Sequence, residues 1–380
     1  MIDLEFILNP TVDRLSIAIQ TKITLWVRML LVSEQKKRHF LICGLGSIGK
    51  RHLEKVVSSA NNVIVIDPDV GIKTYLASNP QYAEVQYFES FTSLKLNLSD
   101  YICVVSNWGP DHFATVNEAR NLNCVRFLIE KPLVSRIDTL FDLKDLAEMN
   151  RIEVISSLPW SYSTLVQRIS ELSFKHNLGA ITSIVVDGGA KCLVTNGIHY
   201  VGLAMKLFKF VPLSVISSLH NSFVNPRQSH FQFIEGTSAW TFPENRFLTI
   251  NFVNSSHLQI SIKIVFAFGK LLIEGNEATL FAISDEDKAL IDKPSRTYHA
   301  RKLIEKFELF DLDSRVDPLD LIYQNICDND SSLWLDFRHG FDTTEAILAM
   351  LISQEEKARI DLPLALNLVE KYKTHEWHIS

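Results

Sequence analysis

The residues that carry chemistry begin at Leu41-Ile42-Cys43-Gly44-Leu45-Gly46-Ser47-Ile48-Gly49-Lys50, where an apolar run ends in Gly-x-Gly-x-x-Gly. Gly44 suits a tight turn, Gly46 lets backbone come close to a pyrophosphate, and Gly49 lets a helix pack closely on a strand. The amides of Ser47, Ile48 and Gly49 then open that helix, where the dipole favours a phosphate. Asp67 lies 23 residues beyond Gly44 and ends the apolar run Val63-Ile64-Val65-Ile66. Its carboxylate can accept hydrogen bonds from both ribose hydroxyls and would repel a 2′-phosphate, so the spacing favours NAD. Lys50 and Arg51 keep NADP open, and the alternative for Asp67 is a turn residue before Pro68.

These groups need a frame to hold them. His39 to Cys43 reads as a first strand, Ile48 to Ser59 as the helix after it, and Val63 to Ile66 as a second buried strand. Tyr101-Ile102-Cys103-Val104-Val105 is another. The loop Ser106-Asn107-Trp108-Gly109-Pro110-Asp111-His112 leads from it into a helix reaching about Asn121, with Asp111 placed to cap it. Phe127 to Ile129 is a further strand, followed by Glu130-Lys131-Pro132. A helix over Asp138–Met149 and a strand over Glu153–Ser156 come next. Strands alternating with helices predict a parallel, doubly wound sheet with right-handed crossovers, whose ligands sit at the carboxyl ends of the strands. After a helix over Ser163–His176, closed by Gly179, the pattern changes. Ile181–Asp187, Leu213–His220, His230–Glu235, Phe247–Val253, Leu258–Phe268 and Lys270–Glu274 are Val/Ile/Phe-rich, and most follow one another without helices, which predicts antiparallel pairing. Pro318–Cys327 and Leu333–Ile352 read as helices.

Composition narrows the functional classes. The chain has 380 residues, a net charge of −6 and 22% charged residues, values of an ordinary globular protein with room for two cores. It has no basic block for nucleic acid. Its five cysteines are scattered, odd in number and without a Cys-x-x-Cys pair. That argues against a disulfide framework or a cysteine zinc site and fits a reducing cytoplasm. Ile17 to Val32 is apolar but broken by Lys22 and Arg28, too short to span a bilayer. Residues 1–37 precede the first strand. They read either as an extension with a start near Met29 or as an amphipathic helix packed on the body. The expected divisions are 1–37, a dinucleotide domain at 38–157, and a substrate and oligomerisation domain at 158–380. Asp328-Asn329-Asp330 lacks the rest of a calcium loop and reads as a turn, and no metal site is expected. His220, His230 and His257 have no ligand spacing.

Together the glycine fingerprint, the Asp67 strand and Glu130-Lys131-Pro132 resemble the Gfo/Idh/MocA family, which includes glucose–fructose oxidoreductase and inositol dehydrogenase. Gly269-x-x-x-Ile273-x-Gly275 with Leu280, and Ser353 with Ile360-Asp361-Leu362-Pro363, resemble its later segments. The likeness covers about residues 38–363. It implies an NAD(P)-dependent oxidoreductase with a Rossmann domain followed by an α+β domain containing an open, mostly antiparallel sheet, often the contact face of dimers or tetramers. It implies a small sugar-like substrate and no role for nucleic acid or membrane. Lys131 would hydrogen-bond a carbinol oxygen beside the nicotinamide, Glu130 would help to place it, and the Lys131–Pro132 bond is expected to be cis. Ser106, Asn107, Trp108 and His112 occupy the family's cofactor loop. Asn107-Trp108 replaces its usual Thr-Pro, and His112 matches its histidine. Trp108 reads equally as a cover for nicotinamide or sugar and as a core residue.

The family's Asp-x-Gly-x-His-x-x-Asp motif aligns with Thr195-Asn196-Gly197-Ile198-His199-Tyr200-Val201-Gly202. His199 is retained as the candidate base, while both acids are replaced, by Thr195 and Gly202. Asn196 or Thr195 is left to orient the imidazole, and Tyr200 is a further candidate acid. Trp160 and Tyr162 could line the sugar site, where the family's arginine is absent. A lone histidine is otherwise a core or capping residue. The missing acids raise a second reading, a cofactor-binding sensor like the family's repressor proteins of galactose metabolism.

Overall fold

A computed structural model describes residues 38–58, 60, 62–149, 151–189, 191–222, 233–288, 302–308, 317–328, 337–377 and 379. Expectations for residues 1–37, His230, Asn329, Asp330 and the Tyr162 side chain lie outside them. Residues 38–380 form one compact unit.

Its first half is a six-stranded parallel sheet in the order β3-β2-β1-β4-β5-β6. The strands are β1 (His39–Cys43), β2 (Asn62–Ile66), β3 (Gln86–Phe88), β4 (Tyr101–Val105), β5 (Arg126–Glu130) and β6 (Glu153–Ser157). This is the dinucleotide-binding strand order, with its crevice between β1 and β4 where the order reverses. Helices α1 (Ser47–Val56), α2 (Gly71–Ala77), α3 (His112–Asn121) and α4 (Ile137–Glu148) make the crossovers. The strands are apolar throughout because both faces are covered. Phe40, Ile42, Val63, Val65, Ile102, Val104 and Leu128 face one core, and Leu41, Cys43, Ile64, Cys103, Val105, Phe127 and Ile129 face the other. Each such side chain contributes on the order of 1.5–3 kcal/mol by leaving water.

Helix α5 (Thr164–Lys175) leads into the second sheet. Its left-handed stop is Asn177, φ 48°, rather than Gly179, which bends the chain two residues later at φ 75°. The two positions share the work that one glycine was expected to do. The second sheet has nine strands in the order β14-β13-β12-β11-β7-β10-β9-β8-β15. Its long strands are β7 (Ile181–Gly189), β8 (Ser214–Ser222), β9 (Phe233–Phe242), β10 (Arg246–Val253), β11 (Ser261–Phe266), β12 (Gly269–Glu274) and β13 (Glu277–Ala282). Strands β14 (Lys302–Glu308) and β15 (Ile360–Asp361) close the edges. Pairing is antiparallel except where β7 meets β10. Helix α6 (Gly197–Phe208) lies on the inner face in the connection between those elements.

Two later helices bind the halves together. Helix α7 (Pro318–Asp328) returns to the first sheet and adds Leu319, Ile322, Tyr323 and Ile326 to the core beneath α1. Asp317 and Asp320 meet Lys55 of α1 at 3.1 and 2.7 Å. Helix α8 (Phe337–Glu356) is buried from Gly340 to Ser353, its polar Asp342, Thr343, Thr344 and Glu345 included. Ser353 Oγ accepts from Ser217 N at 3.1 Å and donates to Ala358 O at 2.6 Å, fixing the end of α8 to β8.

Candidate active site

The glycine turn is built for close contact. Gly44 has φ 89°, and a Cβ there would stand 2.4 Å from Asn107 Cα; a Cβ on Gly49 would stand 2.0 Å from Gly44 O. Only glycine fits either place. The Ser106 hydroxyl, buried, donates toward Gly44 O at 2.8 Å, so its side chain locks the turn. A Cβ on exposed Gly46 would meet nothing within 4 Å. The first bond of α1 runs from Lys50 N to Gly46 O, so the amides before it, of Ser47, Ile48 and Gly49, are those a helix leaves without an internal partner. An open cradle lined by such amides fits a pyrophosphate.

At the end of β2 the Asp67 carboxylate is fixed by two amides. Oδ2 accepts from Leu45 N at 2.6 Å and Oδ1 from Asp69 N at 2.9 Å. It thus faces the glycine turn with acceptor capacity left for ribose hydroxyls. Arg51 lies 3.4 Å from Asp317, and Lys50 lies over the Tyr75 ring at 4.2 Å.

Asn107 closes the crevice beside Gly44, with its Nδ2 donating to Thr115 Oγ1 at 2.8 Å. Trp108 is half-buried next to it. His112 is buried, with Nε2 3.1 Å from Asn107 O and Nδ1 3.2 Å from Pro132 O. Burial lowers its pKa, against the pull of those carbonyls and of Glu130. Set between carbonyls of this loop and of the Pro132 turn, the ring shapes the pocket. Asp111 stands at the start of α3 but makes no side-chain cap, because the chain already turns there as a 3-10 helix over Gly109–Asp111.

The Lys131–Pro132 bond is cis. Lys131 Nζ donates to Thr195 O at 2.8 Å, which carries the ammonium across to the turn preceding α6. His199 stands in the first turn of α6, between Asn196 and Tyr200. Burial, aided by the Lys131 charge and opposed by Glu130, pushes its pKa down to about 3. Lys131 thus reaches the turn just before the helix that bears His199. The imidazole Nδ1 is buried without a hydrogen-bond partner among the described residues. Asn196 caps α6 by position only, with no side-chain bond.

Tyr200 and Glu130 are both buried. Tyr200 is a core residue, packed at 5.6 Å on Trp160 and 6.2 Å on Phe252, and burial alone raises its pKa. No acid role fits a phenol so enclosed. Trp160 is half-buried beside it. Glu130 is buried and faces away from the crevice: Oε1 lies 3.0 Å from His52 Nε2, and Oε2 accepts from Lys131 N at 3.3 Å. Burial would raise its pKa, but the His52 bond and the nearby positive charges hold it down to about 2. The carboxylate sits behind the lysine and makes a poor cofactor contact.

The sequence reading missed His339 and Ser161. His339 Nε2 is 3.0 Å from Ser161 Oγ. A Cβ on Gly202 would lie 2.8 Å from that oxygen and 3.4 Å from that nitrogen. This pair thus fills the space beside Gly202. Burial and Lys206 push the His339 pKa down to about 3. His52 was missed as well, although it follows the glycine fingerprint at helical spacing. Among the described residues no group of His, Cys, Asp and Glu is arranged to hold a metal, and no helix is long and apolar enough to cross a membrane. His220 and His257 are exposed.

Residues 38–156 match the model of the Gfo/Idh/MocA oxidoreductase family, NAD-binding Rossmann fold. No curated protein matches the chain. Solved structures share the whole fold at low identity. A super-repressor mutant of Gal80p from Saccharomyces cerevisiae is 14% identical, with TM-score 0.67, over 86% of this chain and 97% of that one. The WlbA dehydrogenase from Bordetella pertussis, in complex with NADH and UDP-GlcNAcA, is 16% identical, with TM-score 0.64, over 87% and 99%. A levoglucosan dehydrogenase, in complex with NADH and levoglucosan, is 12% identical, with TM-score 0.64, over 86% and 100%.

Proposed function

From a chain whose residues 38–156 belong to the Gfo/Idh/MocA oxidoreductase family and form its NAD-binding domain, we infer an NAD-dependent dehydrogenase or reductase acting on a secondary alcohol or ketone of a sugar, nucleotide sugar or cyclitol. The observation that carries this reading is the bond from Lys131 Nζ to Thr195 O, which sets the ammonium beside the turn bearing His199. The dinucleotide supplies the hydride acceptor or donor. Gly44, Gly46 and Gly49 would hold its pyrophosphate and Asp67 its ribose. Lys131 would exchange Thr195 O for the carbinol oxygen and offset the charge that grows there. His199 would take the hydroxyl proton, or return it in the reverse direction. NADH-bound dehydrogenases of the same fold support this assignment. Assembly of copies through the outer face of the nine-stranded sheet, and a reducing cytoplasm for its free cysteines, belong to the same proposal.

A specific observation favours a second reading, a sensor that binds the cofactor with little turnover. His199 lacks an acid at Nδ1, and its low pKa makes it a weak base. The Gal80p structure is a transcriptional repressor of similar fold. One experiment decides: NADH binding, then NAD+ reduction against a panel of sugars and nucleotide sugars. Turnover that is lost in Lys131→Ala and His199→Ala supports the enzyme. Tight NADH binding with no turnover supports the sensor.

A further inference from the structure

Behind Lys131 the structure holds a closed chain of polar groups that the proposed reaction does not itself use. Tyr323 Oη lies 2.7 Å from His52 Nδ1, and His52 Nε2 lies 3.0 Å from Glu130 Oε1. Glu130 Oε2 accepts the Lys131 amide. His52 is 0% exposed, Tyr323 6% and Glu130 7%. Polar groups buried this deeply persist only when each is satisfied, and these satisfy one another in series. Burial, with the charges of Glu130 and Cys327, holds the Tyr323 phenol well above its ordinary pKa, so it stays a hydroxyl and anchors the Nδ1 side of the His52 ring. The Nε2 side of the same ring meets the carboxylate.

We propose that Tyr323 is a positioning residue for Lys131: its hydroxyl holds the His52 ring in place, His52 fixes the Glu130 carboxylate, and Glu130 fixes the turn from which the lysine reaches its target. The three links come from three elements, α7, α1 and the end of β5, so the lysine is set by a helix nearly two hundred residues further along the chain. Without the hydroxyl, the ring loses its anchor at Nδ1, and the Glu130–Lys131 turn loosens. The other titratable groups acting near this chain are His112 of α3 and His199 of α6, both with lowered pKa, together with Cys327 of α7.

This rests on the dehydrogenase reading, so its test has an arm that does not need turnover. The Tyr323→Phe protein keeps the ring that packs edge-on to Phe40 and His52. With carbon-labelled glutamate, the Glu130 carboxyl should titrate at higher pH in Tyr323→Phe than in the wild type, and higher still in His52→Leu. For turnover, kcat should fall about five- to tenfold with KM for NAD+ unchanged, the size of one lost neutral hydrogen bond, and the pH profile should shift with it. A lowered melting temperature with an unmoved Glu130 titration and pH profile overturns the proposal and leaves Tyr323 a packing residue. A wild type that binds NADH but turns nothing over defeats the dehydrogenase reading alone; the carboxyl titration then still decides the relay.

Discussion

Acid should unfold this protein through its histidines before its carboxylates. His199 and His339 are both held near pKa 3 in the fold against an ordinary 6.5. A group with a depressed folded pKa contributes full stability above its unfolded value and loses it as pH falls. Between pH 6.5 and about 3 the unfolded chain binds a proton at each histidine that the folded chain refuses. At about pH 5 this amounts to roughly 2 kcal/mol per ring. The pair then removes roughly 3–4 kcal/mol from a total of roughly 5–15 kcal/mol. Glu130 has the same sign but a lower window: its contribution is intact above 4.5 and is lost only as pH drops toward 2. Urea unfolding at about pH 7.5 and about pH 5 measures the effect directly. The doubly substituted His199→Gln, His339→Gln protein should lose most of the pH slope. If its slope equals the wild type's across that interval, the burial argument for these two rings is wrong.

Other outcomes follow from the same geometry. Gly46→Val should leave the fold intact, since that Cβ points into open space, yet weaken NADH binding at least about tenfold by filling the phosphate approach; Gly44→Val should fail in folding instead. Circular dichroism beside fluorescence titration separates the two. Asp67→Ala should weaken NADH binding by about ten- to a hundredfold, for loss of charged hydrogen bonds, and narrow the preference over NADPH. Because the imidazole is neutral through the ordinary pH range, the acid limb of kcat/KM should lie well below pH 6.5; a limb at 6.5 or above would contradict the enclosed setting of His199.

The first sheet was readable because its signals are local. β1 and β4 match their apolar runs residue for residue, and the turn at Gly44 announces itself by residue type. No local pattern joins Lys131 to His199, since 68 residues separate them; only the family's spacing suggested reading them together. The Tyr200 side chain could not be assigned, because α6 is buried on most of its circumference and its polar tip gives no clue to direction. Glu130 was read as helping to place Lys131, and it accepts the Lys131 amide; its other partner, His52 at 3.0 Å, left no sign in the sequence. His339 and Ser161 left no trace at all. Their pairing depends on the space above Gly202, a property of three elements meeting rather than of any one stretch. β13 and β14 were passed over because neither has a long unbroken apolar run.

Helix α7 also limits how the chain can be cut. A fragment ending at Ser157 would contain all six parallel strands, yet one of its two hydrophobic layers would lack Leu319, Ile322, Tyr323 and Ile326. The underside of α1 would open to water, and His52 would lose its hydroxyl neighbour. The nucleotide-binding half is thus no detachable module: transplanted alone, it should aggregate or melt early, and a hybrid protein would have to carry its own replacement for that returning helix.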